Sequence, residues 1–277
     1  MKASVALGGT LARNLAQWST VLMRPARVQI PPLPKAVPAG VAVSIAVSVA
    51  MMFWIDGAAV DWARGMTGPV HDAFEQITNG GYSGWWLVPS GIAVLGLAAI
   101  TVPTLPLLTR GVLTALAARI AFVFWAIALP GLFTTVAKGI IGRARPYVDV
   151  KGDPFTYVPF AWRSEYASLP SGHSTTVAAA AVAIGAIWPR GRPLMWVYAL
   201  IIMFSRVVVL AHHPSDVVAG GLVGAVGAEL VRRSFAARRL VFSPRDLAAH
   251  PAPPLRRIVA ALKRAVFLPW QGKKPSS

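Results

Sequence analysis

Three blocks in the second half of the chain set cations, histidines and a carboxylate at spacings suited to handling an anion. The first is Lys138-Gly139-Ile140-Ile141-Gly142-Arg143-Ala144-Arg145-Pro146, where Lys138 and Arg145 are separated by a glycine-containing turn and can close on one anion. The second, Pro170-Ser171-Gly172-His173, stands directly before an apolar run. A helix opening there points free backbone N–H groups outward, and Gly172 lets an anion come close. Ser171 adds a hydroxyl donor and His173 a proton carrier. The third is Ser205-Arg206-Val207-Val208-Val209-Leu210-Ala211-His212-His213-Pro214-Ser215-Asp216. Pro214 breaks the helix, so His212 and Asp216 can fold toward each other, the carboxylate fixing one imidazole nitrogen and freeing the other to attack. Each block alone also has an ordinary explanation: cations reaching the membrane interface, a helix cap, a polar loop with a satisfied His–Asp pair.

The third block makes two geometric demands. Arg206 interrupts an apolar run, so its guanidinium needs a route to the interface or an anionic partner. On a straight helix Arg206 and His212 stand about 9 Å apart along the axis and on different faces, so the end of that helix must bend, with Pro214 the expected cause. Side chains of adjacent residues diverge, and His213 is expected to face lipid headgroups or a neighbouring loop.

The elements that position these blocks are apolar. Of 277 residues 55% are hydrophobic and 13% charged, so water is not the main solvent. Six runs at 37–55, 85–103, 112–136, 174–188, 194–211 and 217–231 read as membrane spans, the fourth and sixth short against the roughly 20 residues a span needs. The 27 Lys and Arg against 10 Asp and Glu give a net charge of +17. In a soluble protein that would suggest nucleic acid, but much of the charge lies in the terminal segments as cytoplasmic flanks, and no nucleic-acid partner is implied. Lys2, Arg13, Arg24, Arg27 and Lys35 precede the first run, and Asp56, Asp61, Asp72 and Glu75 follow it with only Arg64. Arg110 lies between the second and third runs, Arg190 and Arg192 between the fourth and fifth, and a tail with one acid, Asp246, follows Arg232. Lys and Arg favour the cytoplasmic side, so the pattern predicts both termini inside. The expected class is an all-α, six-span bundle over 37–232, between a basic, partly amphipathic segment 1–36 and a basic tail 233–277. Within the tail, Arg256, Arg257, Lys263 and Arg264 among Ile258, Leu262 and Val266 suit either an amphipathic helix on the inner leaflet or a solvated flank. Gly220, Gly224 and Ala228 form a small-residue face for close helix packing. With no cysteine there is no disulfide framework or thiolate metal site, and nothing specifies an oligomeric state.

Together the blocks resemble the signature of the type 2 phosphatidic acid phosphatase family: Lys, six residues, Arg-Pro; then Pro-Ser-Gly-His; then Ser-Arg, five residues, His, three residues, Asp. The match falls at Lys138, Arg145 and Pro146, at Pro170, Ser171, Gly172 and His173, and at Ser205, Arg206, His212 and Asp216. The resemblance implies that Lys138, Arg145, Arg206, Ser171 and the Gly172 amide hold phosphate oxygens. His212, oriented by Asp216, would attack phosphorus to form a phosphohistidine, while His173 protonates the leaving oxygen and then deprotonates water. It implies a lipid phosphate or diphosphate as substrate, of the polyprenyl diphosphate, phosphatidylglycerol phosphate, phosphatidate or lipid A class. The expected location is a bacterial inner or plasma membrane, the site facing the periplasm or exterior. A phosphotransferase using the same first half-reaction stays open, and an anion transporter is the reading from another class, one that leaves the histidines without a purpose.

No cofactor is implied, and no metal: three cations take the role of a divalent ion, and Asp149, Asp153 and Glu165 lack ligand spacing. Phosphate release is therefore expected to persist in excess chelator and to be inhibited by vanadate, whose oxygens fit a five-coordinate cradle. Loss of turnover in chelator with rescue by magnesium is the contrary outcome.

Overall fold

A computed structural model describes residues 2–23, 25–26, 28–148 and 153–271; Arg24, Arg27, Asp149, Lys273 and Lys274, which enter the charge pattern, lie outside them. The chain is all-α, and no strand occurs among the described residues. In order the helices are α1 (Lys2–Met23), α2 (Ala36–Trp54), α3 (Asp56–Arg64), α4 (Pro69–Ile77), α5 (Gly84–Ile100), α6 (Leu107–Ile141), α7 (Gly172–Ile187), α8 (Arg192–Val208), α9 (Pro214–Ala237) and α10 (Leu255–Gln271).

Among the described residues, five runs are long and apolar enough to cross a membrane: Val37–Trp54, Pro69–Ile100, Leu107–Ile141, Pro189–Val208 and Pro214–Ala237. The run expected at 217–231 is thus a longer helix, while α7, covering 174–188, is a 16-residue apolar helix. Its shortness has a packing reason. Val177 and Ala178 through Ala181 are fully buried, so protein surrounds α7 where lipid surrounds a full-length span. Around α2 the reverse holds: Val43, Ile45, Val47, Val49 and Phe53 are all exposed, as on a helix whose solvent is hydrocarbon.

The helices form two compact units. One joins Pro32–Leu87 to Trp125–Val231 and is built on α7. Val177 and Ala181 of α7 pack with Ala199 and Ile202 of α8. On the α9 side a methyl group at Gly220 would collide with the backbone of Ser171, and one at Gly224 with the carbonyl of Thr175, so the helices approach backbone to backbone. This is the close contact that the small-residue face of α9 predicts. Thr134 and Thr175 share a buried hydrogen bond of 3.0 Å that ties α6 to the same helix.

The other unit joins Met1–Pro31, Val88–Phe124 and Arg232–Ser277. Leu97, Leu113 and Ala117 form its core with Ala261 and Ala265 of α10, and Phe122 meets Phe235 and Phe242 edge-on. The buried Asn14 side chain donates to the carbonyls of Ala98 (2.7 Å) and Thr101 (2.9 Å), satisfying the end of α5. α10 turns Ile258, Ala261, Leu262 and Ala265 inward and leaves Arg256, Arg257, Lys263 and Arg264 exposed. Its apolar stripe is therefore covered by protein and not by lipid.

Overpacking at a backbone contact costs about 1–3 kcal/mol. Gly224→Ala is expected to lower the melting temperature in detergent by several degrees, while Gly57→Ala, where nothing lies within 4 Å of an added methyl, leaves it unchanged.

Candidate active site

α6 carries Lys138 in its last turn and stops at Ile141 because Gly142 takes the left-handed conformation, φ 65°, and returns its N–H to the Lys138 carbonyl. Side chains rarely adopt that φ, and a methyl there would also strike the Val158 carbonyl. The chain leaving Gly142 is pinned by the next segment: Ala144 N–H donates to Thr156, Val158 N–H to Gly142 and Arg145 N–H to Glu165. The long connection to α7 is hydrogen-bonded over its described residues, so Arg145 is held after the turn.

α7 opens on Ser171, a fully buried N-cap. Its hydroxyl accepts from Ser174 Oγ at 3.0 Å, leaving its own proton available to a ligand oxygen, and its backbone N–H donates to the Asp216 carbonyl at 3.0 Å. A methyl at Gly172 would stand 3.2 Å from the Lys138 ammonium nitrogen, so the first and second blocks meet at the start of α7. The His173 ring lies 4.8 Å from the Tyr82 ring and against Gly81, its Nε2 buried with no hydrogen-bond partner.

α8 ends at Val208 and the chain then bends, as the spacing of Arg206 and His212 requires. The bend lies at Leu210, φ 52°, where the N–H groups of Ala211 and His212 both return to the Arg206 carbonyl; Pro214 comes after it as the first residue of α9. The left-handed residue, ahead of the proline, makes the turn. Arg206 is buried and donates to Thr78 Oγ1, while its Nε has no partner.

Asp216, wholly buried in the first turn of α9, makes more contacts than a paired imidazole would need. Oδ1 accepts from Arg143 at 2.5 Å, and Oδ2 accepts from Ser168 Oγ at 2.6 Å and from the His213 backbone at 2.9 Å. The last contact is the return half of a capping box, with His213 at the cap and Asp216 three residues in. It draws the His213 side chain inward, its Nδ1 3.2 Å from Oδ2, while His212 Nδ1 is 3.9 Å away. Of the two expectations for His213, burial excludes the lipid headgroups: the side chain is 1% exposed and turns toward Asp216.

Arg143, passed over in the sequence because it stands between the two cations of its block, is the largest fully buried side chain. It binds Asp216, Ser215 Oγ (2.7 Å), the Pro154 carbonyl (3.0 Å) and Asp56 (2.8 Å), and Asp56 in turn accepts from the Ser215 N–H. Burial works against the guanidinium charge, but Asp216 and Asp56 outweigh it and raise its pKa. Asp56, Thr78, Ser168 and Ser215 are further site-building residues that their sequence positions do not single out. Asp56 has one signal, an acid immediately after an apolar run.

Burial is the main force holding His212 well below its ordinary pKa of 6.5; Arg145, Arg206 and Lys138 add to it, against Asp216. The three cations therefore all act on this ring. The neighbouring carboxylates are engaged elsewhere, Asp216 with Arg143 and Glu165 with Arg163, and among the described residues none pairs with Lys138, Arg145 or Arg206. His71, Asp72 and Glu75 are grouped as metal ligands can be, but Asp72 and Glu75 are exposed.

The fold is that of a multi-pass α-helical membrane protein in which Lys138, Arg145 and Arg206 lie about the buried His212. Residues 119–240, which hold all three blocks, match the PAP2 superfamily. A lipid A 1-phosphatase of Rhizobium johnstonii is 39% identical over 122 residues, 44% of this chain and 50% of that protein. One of Rhizobium etli is 40% identical over 100 residues, 36% of this chain and 43% of that protein. The chain thus spans about half the length of the curated relatives it matches. No solved structure matches it significantly.

The depressed His212 pKa links stability to pH. As pH falls below 6.5 the unfolded chain takes up a proton at this position that the folded chain refuses, so stability present above 6.5 is lost toward acid. Stability is expected to fall between pH 7 and 5, by at most about 1.4 kcal/mol per pH unit from this group, and the melting temperature with it. His212→Gln should make the fall shallower; an unchanged slope would mean that His212 titrates normally.

Proposed function

We propose that the chain is a metal-independent lipid phosphatase acting through a phosphohistidine, with 37–232 as its catalytic segment. The observation that carries this reading is the set of three cations, Lys138, Arg145 and Arg206, acting on His212 with no carboxylate paired to any of them among the described residues. Such a site is complete only with a polyanion, and a phosphate has the charge and the number of oxygens to take all three cations, the Ser171 hydroxyl and the Gly172 amide together.

In the reaction, His212, held neutral, attacks phosphorus through the ring nitrogen remote from Asp216. The bond to the lipid oxygen breaks as His173 gives that oxygen a proton. His173 then takes a proton from water, whose oxygen bonds to phosphorus as the phosphorus–nitrogen bond breaks, releasing phosphate and neutral His212. Asp216 orients the loop through the backbone and ring of His213, with the His212 ring 3.9 Å away, and Arg143 keeps its charge compensated.

A lipid substrate is favoured by the surroundings of the site. Phe53, Trp54, Phe155, Phe160 and Trp162 are exposed aromatics of the same compact unit, and the Trp162 ring lies on Gly139, next to Lys138. Such a girdle belongs at headgroup depth. The loop charges favour both termini in the cytoplasm and the site at the periplasmic or outer face. The relatives' names favour the 1-phosphate of lipid A among the possible substrates.

Purified protein offered lipid A, undecaprenyl diphosphate, phosphatidylglycerol phosphate and phosphatidate is expected to release phosphate fastest from lipid A; no release from any of them would overturn the reading. His212→Ala is expected to abolish turnover and the acid-labile phosphoenzyme, and His213→Ala to keep a substantial fraction of both. A phosphoenzyme trapped with the His212 variant but not with the His213 variant would reverse the assignment of nucleophile.

A further inference from the structure

The unit made of Met1–Pro31, Val88–Phe124 and Arg232–Ser277 contains a cavity of about 610 Å³ in which the phosphatase chemistry has no part. Its polar wall carries Arg110, Arg119, Arg239 and His250, and its apolar wall Trp18 and Leu107; among the described residues no acidic side chain lines it. Asp246 is the single Asp or Glu anywhere in the unit.

The cavity is held in shape. After α9 the chain turns through Arg239 (φ 56°) and Val241 (φ 61°), and a bridge between Phe242 and Ala249 closes the next loop. The His250 N–H donates to the Val241 carbonyl, and Arg119 donates to the carbonyls of His250 (2.8 Å) and Pro251 (3.0 Å). Arg119 is thereby fixed by neutral oxygens, which leave its charge uncompensated. The Arg110 and Arg239 side chains have no hydrogen-bond or ion-pair partner among the described residues. Trp18 belongs both to the lining and to the core that receives Ala261 and Ala265, so the floor is anchored by α10. α10 turns outward Leu255, Val259, Val266 and Phe267 among Arg256, Arg257, Lys263 and Arg264, a face suited to an anionic bilayer surface.

We propose that this cavity binds the headgroup of an anionic phospholipid, its phosphodiester held by Arg110, Arg119 and Arg239 and its glycerol against Trp18 and Leu107. Three guanidinium groups around one small volume repel each other unless an anion lies among them, and the mixed wall fits the junction of headgroup and acyl chain. The site does not depend on the phosphatase reading, because retention is read without turnover.

Full-length protein in mild detergent, incubated with phosphatidylglycerol, phosphatidylethanolamine or inorganic phosphate alone, is examined by native mass spectrometry. Wild-type protein is expected to retain one phosphatidylglycerol and no phosphatidylethanolamine at matched concentration. Arg110→Gln with Arg239→Asn should weaken that retention at least tenfold, and Arg206→Gln should leave it unchanged. Arg239→Asn alone, with a residue that tolerates positive φ at an exposed position, gives a smaller loss in the same direction and serves if the double variant does not fold. Equal retention by the variants overturns the proposal, as does loss of the lipid in Arg206→Gln, which would put it in the catalytic cradle. Binding of inorganic phosphate without phosphatidylglycerol would overturn it too, making this a site for a free anion.

Discussion

The contact of Arg143 with two buried carboxylates, Asp216 and Asp56, is the constraint on which the geometry of the candidate site depends. Asp216 fixes the cap of α9, and the backbone of that cap joins His213 to the loop that carries His212. Asp56 opens α3 and accepts from Ser215, so the start of α9 is held from a second direction. Removing one partner of such a cluster leaves an uncompensated buried charge, a penalty of about 3–5 kcal/mol. Arg143 also uses up the negative charge nearest the site. With both carboxylates engaged, Lys138, Arg145 and Arg206 keep their field for a ligand.

The same segments serve packing and chemistry at once. Ser171 caps α7, offers a hydroxyl to the site, and donates its backbone N–H to the Asp216 carbonyl. Gly220 lets α9 come close enough for that bond to form. The hydroxyl proposed to meet phosphate and the carboxylate that holds the histidine loop are therefore one connected piece, the kind of preorganisation on which transition-state stabilisation depends.

The sequence made the class and the three blocks legible for physical reasons. Apolar runs separated by polar loops have few solutions in lipid, and polar residues at the ends of such runs are costly unless used. Leu210, His213 and Arg143 were not legible in the same way. A left-handed leucine has no composition signature, and the inward turn of His213 comes from a cap contact that only the backbone of α9 creates. Arg143 lies two residues from Arg145, and spacing cannot say which of two nearby arginines turns inward. The shortness of α7 has its reason only in the packing, since the rule of about 20 residues applies to helices surrounded by lipid and not to one enclosed by its neighbours.

The unmatched cations also bear on the release of product. Without a ligand, Lys138, Arg145 and Arg206 raise the energy of the empty pocket by mutual repulsion, and any phosphate relieves it. Inorganic phosphate, once freed, fits the same donors as the substrate while lacking the lipid chains that draw substrate to the site. For the proposed phosphatase this means that inorganic phosphate is a competitor of the lipid for the same three cations.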